Sequence, residues 1–276
     1  MRGIGDAMTD KVQVEIKGDV ATITLNKPER LNALDNEMWH GIGEACRAVD
    51  AAPDVRVAVL MGAGGCFCAG LDVKAGSTLG HALDGMSPGQ VLAHIRRHLE
   101  GHQASFSAVE ALRVPVIGAI QRACMGAGLE LALCCDVRLA AEGTLFSIPE
   151  VQLGLVPDMG GTQRLPRTVG IGKAKELIYS ARRFDAAEAF RIGLVQAVYP
   201  AGELHARVAE LAAEIAANAP LAVQAAKRAI NGTYYGDMRA WLDWETAQAS
   251  GPLLSEDRKA GLAAAARRTR ADFKGK

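Results

Sequence analysis

Two short, almost unbroken apolar runs limit what this chain can fold into: Val55 to Met61, interrupted only by Arg56, and Val114 to Ile120. Each has the length of a strand. A strand that is apolar on both faces has to be covered on both faces, as parallel strands are in α/β proteins. Glycine-rich segments accompany them: Gly62-Ala-Gly-Gly-Cys-Phe-Cys-Ala-Gly-Leu-Asp72 and Cys124-Met-Gly-Ala-Gly-Leu-Glu-Leu-Ala-Leu133. The order strand, glycine turn, helix leaves free backbone N–H groups at a helix N-terminus, where negative charge is stabilised. Two ordinary glycine turns would look the same at this level. A dinucleotide fingerprint is absent, since neither segment reads Gly-x-Gly-x-x-Gly, and no Walker Gly-Lys-Ser/Thr occurs.

The rest of the chain fits the α/β pattern. Val12, Val14 and Ile16 alternate with polar residues, Gly18-Asp19 turns, and Val20 to Leu25 alternates again, predicting a β-hairpin. Met38, Ile42, Ala45 and Val49 share one face of a helix that begins at Asn36 behind an Asp35 cap. Residues 74 to 105 contain Gly76, Gly80, Gly85, Pro88 and Gly89 and read as a loop leading into a helix from about Gln90. A helix is expected from about Ala127 to Cys135, then short strands near Val137 to Ala140 and Thr144 to Ser147. After Pro200 the pattern turns helical. Leu204, Val208, Leu211 and Ile215 mark one helix, Pro220 opens a second that stops at Gly232, and Trp241, Leu242 and Trp244 suggest a third. Ser255 caps a last one, with Glu256 and Asp257 in its first turn and Arg267, Arg268 and Arg270 near its end. Two regions follow: residues 1–200 as the α/β part with the site, and 201–276 as a helical part.

Composition narrows the function classes. Lys plus Arg equals Asp plus Glu, so the formal net charge is zero and no broad basic surface for nucleic acid is indicated. No apolar run approaches the ~18 residues of a membrane span. Met1 to Lys11 has neither the apolar core of a secretory signal nor the bias of a transit peptide, and a cytoplasmic location is expected. The six cysteines form no Cys-x-x-Cys and read as reduced core thiols.

Glu130 stands out. It is the only polar side chain between Ala127 and Cys135, on a helix apolar nearly all round. A carboxylate there pairs with an arginine such as Arg122 or Arg138, or it faces a cleft and moves protons. Glu150, after Pro149, is by itself an ordinary loop carboxylate, and Asp158 by itself a helix cap before Met159-Gly160-Gly161. His94, His98 and His102 recur at helical spacing; no carboxylate motif joins them, and a solvated or lid-facing stripe is expected rather than a metal face. No Gly-x-Ser-x-Gly supports a Ser-His-Asp hydrolase.

At these residues the chain resembles the crotonase (enoyl-CoA hydratase/isomerase) superfamily. Phe67-Cys-Ala-Gly-Leu-Asp72 matches the family's first oxyanion segment and Met125-Gly-Ala-Gly-Leu-Glu-Leu131 its second. Phe146-Ser-Ile-Pro-Glu150-Val-Gln-Leu-Gly154, running into Pro157-Asp158-Met-Gly-Gly-Thr-Gln-Arg-Leu-Pro166, is a third block. Asn26 to Leu34 and Arg191 to Val195 are similar as well. The likeness extends over about residues 11 to 272. It implies a crotonase-like spiral core of ββα turns with a C-terminal helical region used for assembly into a trimer or hexamer. It also implies an oxyanion hole from the N–H groups of Leu71 and Ala127, where the family usually has glycine at the second position. Further implications are CoA contacts at Arg30, Ala69 and Lys74, an acyl-CoA substrate, and no metal or redox cofactor, coenzyme A being part of the substrate.

The acid set matches two subfamilies. Hydratases use two glutamates, here Glu130 and Glu150, and usually carry glycine where Asp158 stands. Dienoyl-CoA isomerases carry three acids at the positions of Glu130, Glu150 and Asp158. Phe106 to Glu110 and Tyr179 to Arg183 also lean toward the isomerases, whereas a glutamate at 130 is the hydratase choice. The expected activity is hydration or double-bond migration on an unsaturated acyl-CoA. A non-catalytic acyl-CoA-binding or scaffolding homologue is the rival, with an RNA-binding homologue behind it.

Overall fold

A computed structural model of the chain describes residues 9–72, 84–232, 255–267, 269 and 271–276. Its strands are β1 (Val12–Lys17), β2 (Val20–Leu25), β3 (Val57–Gly62), β4 (Val116–Ile120), β5 (Ala123–Met125), β6 (Val137–Ala141), β7 (Leu145–Ser147), β8 (Phe184–Asp185) and β9 (Ala197–Tyr199). Six of them form one sheet in the order β1-β2-β3-β4-β6-β9. The β1–β2 hairpin is antiparallel, with Lys17 opposite Val20 across a turn in which Gly18 adopts a φ of +60°. Every later pairing in this sheet is parallel. A second sheet has the order β5-β7-β8.

The continuous apolar runs are explained by two coverings. In β3 and β4, Ala58, Leu60, Val116 and Ile120 face a core shared with helix α1 (Asn36–Asp50) and helix α2 (Pro88–Ala111), through Met38, Ile42, Phe106 and Val109. Their neighbours Val57, Val59, Ile117 and Ala119 face the other way. There they meet Leu204, Val208, Ala212 and Ala216 of the helix Leu204–Ala216. Residues one apart thus serve opposite layers, and neither face can be polar.

Helix starts follow capping chemistry. The Asp35 carboxylate accepts from the N–H of Met38 at 3.1 Å, as the sequence predicts for α1. Helix α2 begins at Pro88 rather than near Gln90, because Ser87 is the cap and forms a reciprocal box with Gln90, and Pro88 fits the first turn. Helix α3 (Ala127–Ala132) stops short of the expected Cys135. The chain there turns into β6, held by Asp136, whose N–H donates to the Val116 carbonyl and whose carboxylate accepts the Val116 N–H at 2.7 Å.

Then come α4 (Gly161–Val169), α5 (Ile171–Ser180), α6 (Ala186–Arg191), α7 (Leu204–Ala216), α8 (Pro220–Gly232) and α9 (Glu256–Arg267). Buried Lys227 ties α8 to the sheet by donating to the Val114 carbonyl and pairing with Asp136 at 2.8 Å. The first N–H groups of α9 donate to the backbone oxygen of Lys276, and the Asp257 carboxylate accepts from Lys274 and Gly275. The helix expected around Trp241 to Trp244, and the charges of Arg268 and Arg270, lie outside the described residues. All six cysteines are free and buried, as the apolar setting of Cys134 and Cys135 implied. No described helix is long and apolar enough to cross a membrane.

Candidate active site

The first glycine-rich segment is stitched on both sides by backbone. Toward the N-terminal part of the chain, Ala69 N–H donates to Leu31, Leu34 N–H to Gly70, and Asp72 N–H to Leu34. Toward the second segment, Phe67 N–H donates to Gln121, Cys68 N–H to Ala123, and Met125 N–H to Cys68. Leu31 and Asn32 take left-handed φ values of 50° and 57°. Fully buried Asn32 stabilises that turn through its side chain, which donates to Cys66 and Ala63 and accepts from the Lys27 N–H. Asn32 and Lys27 are site-building residues that the pattern Asn26 to Leu34 contained without revealing their work.

This lacing fixes two N–H groups. The parallel bridge between Leu34 and Leu71 uses the Gly70 carbonyl and the Asp72 N–H, which turns the N–H of Leu71 itself to the opposite side. Ala127 is the first residue of α3, where an N–H has no carbonyl in its own helix to bond. Its helical φ is negative, so alanine is accommodated where the family usually has glycine. The unusual backbone is shifted to Gly126, with φ 51° and ψ −124°. The two segments touch at Gly70: a Cβ added there would lie 2.8 Å from the Met125 carbonyl oxygen and 3.8 Å from the Ala127 nitrogen. Gly128 matters for the same reason, since a Cβ on it would come within 2.6 Å of the Cys68 carbonyl oxygen.

The three acids gather beside this junction. Glu130, in α3, is 1% exposed. Its Oε1 accepts from the N–H of Met159 at 3.0 Å and of Gly161 at 2.8 Å. The arginine pairing that sequence left open is therefore not how its charge is met: the Arg138 guanidinium donates to the carbonyls of Leu194 and Cys135 instead. Glu150 opens a short 3-10 turn (Glu150–Leu153) after Pro149. Its Oε1 rests against Gly126, where an added Cβ would be 2.8 Å away, and its buried Oε2 has no hydrogen-bond partner among the described residues. Asp158 does not cap a helix. Gly160 occupies the N-cap of α4, and the carboxylate that serves the helix start is Glu130.

Burial shifts all three acids upward, and neighbouring carboxyl charges add to the shift of Glu130 and of Glu150. Glu130 is pushed up to about 8, by burial first and then by the charges of Glu150 and Asp158, against the two N–H donors. Glu150 is raised by burial and by Asp158. Asp158 is raised by burial, offset in part by its own backbone and by His98. Clustered carboxyl groups raised above their ordinary range are candidates for proton transfer.

Two other groups reach this place. Arg30 and Lys27 both pair with Asp72, at 2.8 Å each, and Lys27 also pairs with Asp35 at 2.6 Å. Arg30 thus pairs with the end of the first segment, Ala69 lies within it, and Lys74 lies outside the described residues. Helix α2 packs over Asp158, and Gln103 donates to the Asp158 carbonyl. The three histidines of α2 are partly exposed, and two of them also pack on neighbouring rings. His102 stacks on Trp39 with centroids 4.7 Å apart, and His98 meets His102 edge-on at 4.2 Å. Spacing alone could not reveal this, because the partner, Trp39, comes from α1. Among the described residues no group of His, Cys, Asp and Glu could hold a metal ion. A cavity of about 650 Å³ lies on the other face of the sheet beside Arg56, His205 and Phe273.

Comparison with known proteins identifies the family. The family model described as enoyl-CoA hydratase/isomerase matches residues 15–276. The short-chain-enoyl-CoA hydratase of Clostridium acetobutylicum is 37% identical over 260 residues, covering 92% of this chain and 94% of that protein. The peroxisomal Delta(3,5)-Delta(2,4)-dienoyl-CoA isomerase of Arabidopsis thaliana is 37% identical over 237 residues, 85% of each chain. The crystal structure of an enoyl-CoA hydratase from Bacillus anthracis superposes with a TM-score of 0.86 at 35% identity, covering 96% of this chain and all of that one. With its α/β sheets, its paired glycine segments and its acids in this order, the chain belongs to the enoyl-CoA hydratase/isomerase family of the crotonase superfamily.

Proposed function

We propose that the protein is an enzyme that moves double bonds in an unsaturated acyl-CoA, converting a 3,5-dienoyl-CoA to the 2,4-dienoyl-CoA. The observation that carries this reading is the third acid: Asp158 lies in one electrostatic cluster with Glu130 and Glu150. Hydration needs only two carboxyl groups.

The thioester oxygen accepts from the N–H groups of Leu71 and Ala127. As a proton leaves the α-carbon, negative charge grows on that oxygen, and each donor is worth about 3–4 kcal/mol in the transition state. Of Glu150 and Asp158, one takes the α-proton and the other delivers a proton at the far end of the dienolate, so the substrate gains and loses none overall. Glu130, clamped by Met159 and Gly161, is itself kept protonated by burial and by the charges of Glu150 and Asp158. Arg30, Ala69 and Lys74 are assigned to the CoA moiety, and no metal or redox cofactor is required. Residues 201–276 are assigned to assembly into a trimer or hexamer, which sedimentation would test.

Hydration of a 2-enoyl-CoA is the second reading. A glutamate at position 130, with one oxygen bonded and a second available to water, favours it. The test gives purified protein each substrate separately. Growth of the conjugated 2,4-dienoyl absorbance supports isomerisation, and loss of the enoyl absorbance supports hydration. Glu150→Gln should abolish turnover and leave CoA-thioester binding intact. Asp158→Ala should silence isomerisation alone; an active Asp158→Ala isomerase would remove the third acid from the mechanism.

A further inference from the structure

We infer that Gln103 is a positioning residue: it holds the Asp158–Met159 peptide group by its carbonyl, so that the N–H on the other side keeps Glu130 in place. The inference rests on the reading above only in taking Glu130 and Asp158 as members of the reacting acid set. It applies to isomerisation and hydration alike.

One peptide plane joins three elements. In a trans peptide the carbonyl and the N–H point in opposite directions, and none of the described peptides is cis. The Asp158 carbonyl points to α2 and accepts from Nε2 of Gln103. The Met159 N–H points to α3 and donates to Oε1 of Glu130 at 3.0 Å. Gln103 therefore reaches the Glu130 carboxyl through a single amide, and that amide also carries the backbone of Asp158.

The next peptide is held from α2 as well. Nη1 of Arg164 donates to the Met159 carbonyl at 3.2 Å, while Nη2 is anchored on α2 by Glu110 at 2.7 Å and Ser107 at 3.2 Å. Gln103, Ser107 and Glu110 recur at i, i+4 and i+7, which is one face of a helix. Gly160 makes room for the guanidinium, since a Cβ there would collide with it. Helix α2 thus grips two consecutive carbonyls of the turn, and Glu130 takes two of its N–H groups.

Donation to a carbonyl draws electron density from the amide nitrogen and strengthens the N–H as a donor. The groups that face Glu130 are the carboxyls of Glu150 and Asp158 and the N–H groups of Met159 and Gly161. Burial and the two carboxyl charges favour its protonated form, and the two donors favour the ionised one. Gln103 acts on the donor side. Its loss lets the Asp158–Met159 plane tilt and weakens one donor, so Glu130 should hold its proton more tightly and sit less squarely in the site.

The test uses Gln103→Met, which keeps the length of the side chain and removes the donor. The Glu130 carboxyl is followed by infrared titration of the intact protein, its band assigned by its absence from Glu130→Gln. The midpoint should move upward in Gln103→Met, and a midpoint that stays in place would overturn the clamp whatever the reaction. With whichever acyl-CoA the wild type turns over, Gln103→Met should lower kcat by about tenfold or more and leave KM within about twofold. In a Glu130→Gln background the same change should cost less than about twofold, because the two act as one unit. An unchanged kcat, or a full loss in that background, rejects Gln103 as acting through Glu130. A wild type inert toward both acyl-CoA substrates rejects the functional reading, while the carboxyl titration still decides the clamp.

Discussion

Glu150 and Gly126 are in contact: Oε1 of the carboxylate sits where a side chain on the glycine would begin, 2.8 Å from an added Cβ. Gly126 also holds φ 51° and ψ −124°, a combination open to glycine and strained for any residue with a side chain. Gly126→Ala should therefore displace Glu150 and tilt the Ala127 N–H together. The expected outcome is a fall in kcat of about a hundredfold or more, with a near-native circular dichroism spectrum. An active Gly126→Ala enzyme would separate the two segments functionally.

Glu130 links stability to pH. Its folded pKa of about 8 stands above the ordinary 4.5, so the folded state holds a proton that the unfolded chain releases. The stability from that proton is complete below about pH 4.5 and is lost as pH rises toward 8. Glu130→Gln keeps an oxygen acceptor for Met159 and Gly161 without the charge. Its melting temperature should match the wild type near pH 5 and exceed it at pH 8.5 by on the order of 5 °C. Parallel melting curves at both pH values would contradict the shift. Turnover in the same variant should fall about 10²–10⁴-fold.

Lys27 bridges Asp35 and Asp72 while only 9% exposed. Removing one member of a buried ionic cluster leaves the others uncompensated. Lys27→Met should lower unfolding stability by about 3 kcal/mol, as read from the urea midpoint. Because Asp72 follows Leu71, the variant should also lose more in kcat than in KM.

The cysteines should be silent. All six are buried, and burial pushes the thiols of Cys46, Cys68 and Cys135 up to about 12. The native protein should give almost no reaction with an aromatic disulfide reagent at pH 8, and full reaction in denaturant. Rapid native labelling of one thiol would mark a local opening of the core.

What the sequence disclosed depended on range. The hairpin, the buried strands and the Asp35 cap were legible because each rests on neighbours within a few residues. The family blocks named Glu130, Glu150 and Asp158, and the fold brings them within reach of one another's charge. Contacts between distant elements were not legible. The Glu130 clamp comes from Met159 and Gly161, and the stacking of His102 from Trp39, and no local pattern announces either. Ser87 was missed as a cap because Pro88 and Gly89 made the stretch look like loop.

The seam where Cys68 pairs with Cys124 carries a consequence for how such a protein can change. Everything proposed to grip the thioester is main chain, laced by hydrogen bonds that ignore side-chain identity. Everything proposed to move protons is side chain, at positions 130, 150 and 158. The scaffold therefore separates an invariant grip from an exchangeable toolkit. Libraries confined to those three positions should yield folded variants that still recognise CoA thioesters while redirecting which carbon is protonated.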